Sequence, residues 1–299
     1  MCGMACEAGA QQPPPAQPRA GDDNDDDAMQ RRWDALTNVE RTALGVSYWR
    51  AKAADQIRHP TTGAPLYDDP FSAAAAALRA ARRGGAPRVD RQVLAAAGGI
   101  VAGLGGGGTL QVVILGAGLD ARAWRLQWPR PPGGGGGGGG GVVLWEVDTA
   151  SILALKARAL AGFEVLCARR EVVCDLTDTE GLASKLAAAG HAASSPTLWL
   201  LEGLIGYFAA DDALRLLQTI ARLSAPGSRA VVTAPPSESD RRQATANGLT
   251  LHHTTYEEVD DTLARAVAAG WVGTVVRREE LRERYGVERA QQLLALRLA

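Results

Sequence analysis

The chain has 299 residues, and its 32 Lys and Arg side chains nearly balance 33 Asp and Glu side chains, so the net charge is −1. A dedicated nucleic-acid or membrane-surface binder would carry a basic excess. Apolar residues make up 46% of the chain, which excludes wholesale disorder. No apolar run approaches the roughly 20 residues that span a bilayer. We therefore expect neither a nucleic-acid nor a membrane partner.

The first 30 residues differ in composition from the rest of the chain. They hold six acidic residues against Arg19 alone, and their Pro, Gln and Asp side chains cannot bury enough apolar area to offset chain entropy. The composition predicts a disordered tail over 1–30, an Ala-rich helical cap over 31–104 and an α/β core over 105–299. The glycine tract at 133–141 is interpreted as a low-complexity loop, because no Lys-Ser/Thr of a phosphate-binding loop follows it.

From residue 110 onward, short apolar runs alternate with longer amphipathic stretches. Strands are predicted over 110–115, 142–147, 171–174, 197–201, 228–233 and 271–276, with a last apolar run at 293–298. Helices are predicted over 120–127, 149–161, 179–189, 211–223, 256–269 and 278–285. This alternation indicates an α/β fold with a doubly wound, mostly parallel, seven-stranded sheet and helices on both faces.

The four cysteines do not form a disulfide framework or a zinc site. Cys2 and Cys6 lie in the tail, Cys167 and Cys174 have neighbours typical of a strand, and no Cys-x-x-Cys occurs. Buried reduced thiols are the expected outcome, which fits a reducing compartment. The acidic, Pro-rich start resembles neither a secretory signal nor a transit peptide, so a cytoplasmic location is expected.

The turn Gly116–Gly118 ends the first predicted strand of the core and precedes a helix. Together with Ala121 it loosely satisfies the dinucleotide fingerprint, although a plain tight turn is an alternative. Asp120 lies at the start of the helix, where a carboxylate would repel a pyrophosphate but suits the ammonium and sulfonium of S-adenosylmethionine. A helix-capping role for Asp120 is compatible with this hypothesis.

The second strand ends in two carboxylates, Glu146 and Asp148. A carboxylate at this position of a Rossmann-type sheet binds the ribose hydroxyls of a nucleoside cofactor. Asp148 is favoured for that role, and Glu146 is structural if it points away from the strand edge. Lys156, eight residues further on, is expected to be a solvated or paired surface charge.

Several motifs in consistent order between about residues 37 and 290 resemble the leucine carboxyl methyltransferase-like family, whose members are class I S-adenosylmethionine-dependent methyltransferases. The core motifs are Gly116-Ala-Gly-Leu-Asp-Ala-Arg-Ala-Trp-Arg-Leu126, Trp145-Glu-Val-Asp148 with Lys156, Cys174-Asp-Leu176, Glu202-Gly-Leu204 with Tyr207, and Leu223-Ser-Ala-Pro-Gly-Ser228. The flanking motifs are Val39–Val46, Ala269–Trp271 and Leu281–Gly286. The resemblance implies a Rossmann-like class I methyltransferase fold with S-adenosyl-L-methionine as cofactor.

The resemblance also implies roles at matching positions. The glycine turn, Gly116 above all, would line the methionine part of the cofactor, and Asp148 would bind the ribose. Asp175 and Leu176 would hold the adenine through its amino group and a backbone amide, although Asp175 could instead cap the next helix. Glu202 would lie near the amino-acid end or the methyl group of the cofactor. A carboxylate at a buried strand end would otherwise have no evident partner in the sequence.

This sequence departs from the family pattern ahead of the glycine turn. The family's Arg-Thr-Arg-like stretch is shortened here, and Arg88 is chosen to grip the cofactor carboxylate, with Arg91 as the alternative. Arg41 aligns loosely with a basic residue near the cofactor in relatives.

The resulting hypothesis is methyl transfer to a carboxylate or hydroxyl oxygen of a small molecule or protein. A carboxylate needs no general base, which agrees with the four histidines lying in no recognised motif. Tyr207 and Glu202 are the candidate catalytic residues, although Tyr207 could equally be a half-buried aromatic residue. A degenerate methyltransferase-fold binding module and a nicotinamide-dependent oxidoreductase are the alternatives.

Overall fold

The computed structural model describes residues 88–105, 108–130, 141–246, 255–285 and 292–298. These residues form one seven-stranded sheet with helices on both faces. The predicted tail, most of the helical cap and nearly all of the glycine tract lie outside the described residues. Among the residues described, no helix is both long and apolar enough to cross a membrane.

The sheet has the strand order β3-β2-β1-β4-β5-β7-β6. Its strands are β1 Leu110–Leu115, β2 Val142–Asp148, β3 Ala168–Val173, β4 Thr197–Leu201, β5 Arg229–Thr233, β6 Trp271–Val276 and β7 Leu293–Leu298. Strands β1 to β5 are parallel, and β7 runs antiparallel between β5 and β6. The predicted doubly wound, mostly parallel sheet is confirmed, including the strand at 293–298.

The helices agree with the predicted ones apart from their ends and one omission. They are α1 Arg88–Val101, α2 Arg122–Arg125, α3 Ala150–Ala159, α4 Thr179–Ala188, α5 Ala210–Arg222, α6 Glu238–Ala246, α7 Val259–Ala268 and α8 Arg278–Tyr285. Helix α2 is much shorter than the predicted 120–127. Helix α6 was not predicted, although Ser237 and Asp240 form a capping box in which each side chain accepts the other's backbone N–H at 3.1 Å.

The sheet is buried on both faces, which explains the continuous apolar runs of its central strands. Val113 and Leu115 of β1 face one apolar cluster, whereas Val112 and Ile114 face the other. Helix α1 belongs to the second cluster and packs against β4 and β5. The period of two along each strand therefore divides one short sequence between two cores.

The cysteine prediction is confirmed where it can be tested. Cys167 is partly buried, Cys174 is buried, and both are free thiols. Burial, reinforced by the nearby carboxylate of Glu146, raises the pKa of Cys167 to about 11. Burial also raises the pKa of Cys174. Neither thiol is ionised at neutral pH, so neither is activated as a nucleophile.

A buried polar network ties the amino ends of β1 and β4 to the segment that precedes β4. The amide side chain of Gln111 donates to the carbonyl of Ala192 at 2.9 Å and accepts its N–H at 2.8 Å. His191 Nε2 shares a hydrogen bond with Thr197 Oγ1 at 3.0 Å, and its ring packs edge-on against Trp145. Burial lowers the pKa of His191 to about 4, so the imidazole is neutral in the folded protein at pH 7.

His191 makes the stability of the fold depend on pH well above the acid range of carboxylates. The unfolded chain takes up the histidine proton near pH 6.5, whereas the folded chain resists it down to about pH 4. The free energy of unfolding should therefore fall by about 2 kcal/mol between pH 6 and 4.5. Urea titrations at several pH values measure this slope. The variant His191→Gln cannot take up the proton, and an equally steep slope in that variant would contradict the assignment.

Candidate cofactor site

The predicted site residues converge on one edge of the sheet. Because β1 to β4 are parallel, their carboxyl ends lie at the same edge, where open α/β sheets bind ligands. The turn Gly116–Gly118 follows β1, Asp148 ends β2, Asp175 follows β3 and Glu202 follows β4. These four positions, which span almost 90 residues of the sequence, thus lie along the same edge of the sheet.

The turn after β1 requires glycine for both conformational and steric reasons. Gly116 has a φ of +64° and Gly118 a φ of +46°, and residues with a side chain rarely adopt such positive φ angles. A Cβ on Gly116 would also lie 2.8 Å from Cδ1 of Leu204, in the loop after β4. The turn is therefore packed against the neighbouring strand's loop and is not a free surface feature.

Asp148 is the carboxylate that reaches the sheet edge. Its Oδ2 accepts the N–H of Gly118 at 2.8 Å and its Oδ1 accepts the N–H of Thr149 at 2.7 Å. Each carboxylate oxygen has a further lone pair for a ligand hydroxyl. The side chain thus has the chemistry that ribose binding needs, and it also anchors the glycine turn.

Glu146 lies in the interior, which supports the choice of Asp148 over Glu146 made from the sequence. The Glu146 side chain is fully buried, and its Oε2 accepts from Arg169 Nε at 2.9 Å. Lys156 Nζ lies 3.1 Å from the same oxygen. The expectation that Lys156 lies at the surface is wrong, because its side chain is completely buried, although it is paired as expected.

A buried cluster of charges joins α1, α2 and the end of β4 around Arg122. The Arg122 guanidinium contacts Asp90 Oδ1 at 2.8 Å and Glu202 Oε2 at 2.6 Å, and it also pairs with Asp120. Arg125 donates to Asp90 at 3.1 Å. Burial alone would lower the pKa of Arg122, but the carboxylates of Asp120, Glu202 and Asp90 raise it well above its usual value. Arg122 therefore stays charged.

This cluster changes the interpretation of two predicted residues. Asp120 Oδ1 accepts the N–H of Arg122 at 2.8 Å in a local turn, but the N-cap of α2 is Ala121, so the capping role expected for Asp120 is wrong. The argument that Glu202 would lack a structural partner is wrong, because Arg122 supplies one. Arg122 and Asp90 are not among the predicted site residues, although the spacing of Asp120 and Arg122 near the start of a predicted helix is a usable signal.

The residues after β3 form a local turn. Asp175 Oδ1 accepts the N–H of Thr177 at 2.9 Å and its hydroxyl at 2.8 Å, and these bonds lower the pKa of Asp175. The alternative of a helix cap is wrong for Asp175, because Asp178 caps α4 by accepting the N–H of Gly181. The Leu176 side chain is buried in the core, so only its backbone remains for a ligand.

Other predicted positions are tested less directly. Arg88 begins α1, but its side chain lies outside the described residues, as do Arg41, His59, His252 and His253. Arg91 is an exposed residue of α1. Tyr207 ends the short 3-10 helix Ile205–Tyr207 after β4 and is 36% exposed.

An open, mostly parallel sheet with a glycine turn and carboxylates at its strand ends defines a Rossmann-like α/β protein. The sequence profile of the family described as leucine carboxyl methyltransferase matches residues 43–221. A protein of Mycolicibacterium smegmatis is 37% identical over 218 residues, which cover 66% of this chain and 67% of the relative. The chain therefore belongs to the leucine carboxyl methyltransferase family.

A protein of Parafrankia sp. is 46% identical over 124 residues, 41% of this chain and 36% of its own length. Both relatives are provisionally named S-adenosyl-L-methionine-dependent methyltransferases. Several relatives are matched over only 36–40% of their own length. The family resemblance and the Rossmann-like α/β fold are thus confirmed as predicted.

Solved structures show a weaker likeness. Human N-acetylserotonin methyltransferase in complex with SAM is 13% identical with a TM-score of 0.46, covering 86% of this chain and 66% of that one. A DUF574 family protein of Streptomyces avermitilis is 12% identical with a TM-score of 0.48, and the match covers 85% of this chain and 97% of that protein. The family assignment rests on the sequence matches.

Proposed function

We propose that this chain transfers the methyl group of S-adenosylmethionine to an oxygen atom, of a carboxylate or a hydroxyl, on a small molecule or a protein. One observation carries the proposal within the family assignment. Asp148, at the end of β2, is bound to the Gly118 amide of the turn after β1. This pairing unites the two elements from which a Rossmann-type sheet binds a nucleoside.

The polar groups at the carboxyl edge of the sheet fit the proposed cofactor. Asp148 would accept the ribose hydroxyls, while Asp175 and the Leu176 backbone would receive the adenine. These positions offer acceptors and backbone groups, which suit hydroxyls and an amino group better than phosphates. The site therefore favours a nucleoside without a pyrophosphate.

The other end of the cofactor would lie at the glycine turn. Gly116 and Gly118 would line its methionine part, and Glu202 and Asp120, which both pair with Arg122, would lie near its cationic groups. Arg88, or Arg91 in its place, would pair with its carboxylate. When bound, the cofactor supplies a methyl group on a sulfonium, and the chain's part is to align an acceptor with it.

An oxygen acceptor is proposed because a carboxylate acceptor needs no general base from the chain. A carboxylate is already ionised at neutral pH, so alignment and exclusion of water suffice. Tyr207 ends the 3-10 helix after β4, five residues after Glu202 in sequence, and we propose that it faces the acceptor. Residues 31–299 carry a net charge of only +4, which is too small to suggest an RNA acceptor.

The proposal is tested by incubating the purified chain with methyl-labelled S-adenosylmethionine and a cell extract. Label that enters protein or small molecules and is released by mild base as methanol is expected for a carboxylate acceptor. Base-stable label on oxygen would identify a hydroxyl acceptor. Label in RNA would contradict the proposal, and cofactor binding without transfer would favour the binding-module alternative. The variant Asp148→Ala serves as the control with reduced transfer.

A further inference from the structure

We infer that Lys156 is a positioning residue, which fixes the glycine turn in the conformation that binds the cofactor. The inference rests on the cofactor site proposed above. Lys156 belongs to α3 and is fully buried beneath the turn, where its Nζ donates to the carbonyl oxygen of Ala117 at 3.2 Å. The same ammonium pairs with the buried carboxylate of Glu146 on β2.

Lys156 and Asp148 hold the two ends of a single peptide unit. The peptide that joins Ala117 to Gly118 presents its carbonyl to the Lys156 ammonium and its N–H to the Asp148 carboxylate. A peptide plane next to glycines with positive φ can rotate at little cost, because glycine tolerates both signs of φ. A cation at one end and an anion at the other select one orientation of this plane.

This orientation matters for the ligand because it is coupled to Asp148. The Gly118 N–H lies 2.8 Å from Asp148 Oδ2, so rotation of the peptide would remove a donor that orients the proposed ribose ligand. The Ala117 N–H also donates to the carbonyl of Val147, at 3.1 Å, next to Asp148 in β2. The turn and the carboxylate are therefore set as one unit.

Fold stability alone does not explain a buried lysine at this place. A buried ion pair costs so much desolvation that apolar side chains of similar volume are often as stable. The Ala117 carbonyl also accepts the N–H of Asp120 at 2.8 Å, so Lys156 supplies a second donor to this oxygen, and an apolar side chain could not. Glu146 in turn pairs with the ammonium, and Arg169 shares that carboxylate, with its Nε at 2.9 Å from Glu146 Oε2.

The contacts of Arg169 provide a matched control. Arg169 pairs with Glu146, as Lys156 does, and also with Glu171 at 2.8 Å, but among the described residues it makes no polar contact with the glycine turn. The variants Lys156→Met and Arg169→Met each remove one cation from Glu146 and leave the other. Both variants should lose thermal stability, whereas only Lys156→Met should alter the turn.

The experiment measures the dissociation constant of S-adenosylmethionine by calorimetry and, without ligand, amide hydrogen exchange in the segment 116–120. For Lys156→Met we expect affinity at least tenfold weaker and exchange at least tenfold faster than in the unmodified chain. For Arg169→Met we expect both quantities within about threefold of the unmodified chain. If Lys156→Met does not fold, the double variant with Glu146→Gln also removes the buried carboxylate that Lys156 paired with, and it should show the same loss.

The outcomes separate this inference from the proposed function. Equal affinity and exchange in the unmodified chain and Lys156→Met would overturn the inference alone. Equal losses of affinity in Lys156→Met and Arg169→Met would also overturn it, because the effect would then be general to the core. An unmodified chain that binds no S-adenosylmethionine would overturn the proposed function and the inference together.

Discussion

The variant Arg122→Met is expected to lower the free energy of unfolding by about 3–5 kcal/mol, the cost of removing one partner from a buried ion pair. The guanidinium is the shared cation of Asp90, Asp120 and Glu202, and Asp90 is fully buried. Methionine fills much of the same volume but leaves these carboxylates without that charge. Urea unfolding followed by circular dichroism measures the loss.

A control for this prediction is the exposed ion pair of Arg215 with Asp212 on α5. The variant Arg215→Met should change the free energy of unfolding by less than about 0.5 kcal/mol, because solvent screens an exposed pair three residues apart. A loss below about 1 kcal/mol for Arg122→Met would show that the cluster does not hold α1, α2 and β4 together.

The variant Asp148→Ala is expected to weaken S-adenosylmethionine binding about 10- to 100-fold. Charge-assisted hydrogen bonds to the ribose contribute about 1.5–3 kcal/mol, and tenfold in affinity corresponds to about 1.4 kcal/mol. The same change removes the acceptor of the Gly118 N–H and so loosens the glycine turn. Calorimetric titration of the folded variant measures the change.

The matched control is Asp178→Ala, one strand further along the same edge. Asp178 caps α4, so its loss should cost about 1 kcal/mol of stability and leave the affinity unchanged. Unchanged affinity in Asp148→Ala would refute the ribose assignment, and an equal decrease in Asp178→Ala would show that the effect is not specific to Asp148.

Much of the fold was predictable because its signals are local. The apolar runs that form β1, β2 and β4 are bounded by glycine or polar residues, and their positions agree within a residue with the structure. The carboxyl ends of parallel strands must share an edge, so Asp148 and Glu202 could be placed there from sequence. Helix α6 is not predicted because its residues are mostly polar and show no apolar periodicity, so its capping box is the main local signal.

The partners of the charged residues were not predictable in the same way. Lys156 and Glu146 lie ten residues apart and Arg122 and Glu202 lie 80 apart, yet each pair is in contact. The sequence pattern treats a lysine as a surface residue, since burying an ammonium is costly unless it is paired. Whether a partner exists depends on which strands and helices come together.

The sequence by itself determined the alternation of strands and helices, the glycine turn after β1 and the carboxylates at the strand ends, because residue periodicity and glycine's conformational freedom are local properties. The tertiary structure alone decided that Lys156 is buried, that Arg122 joins three carboxylates, and that Asp148 holds the Gly118 amide. These are electrostatic contacts between separate segments of the chain, and they depend on the burial and the distances that only the assembled sheet creates.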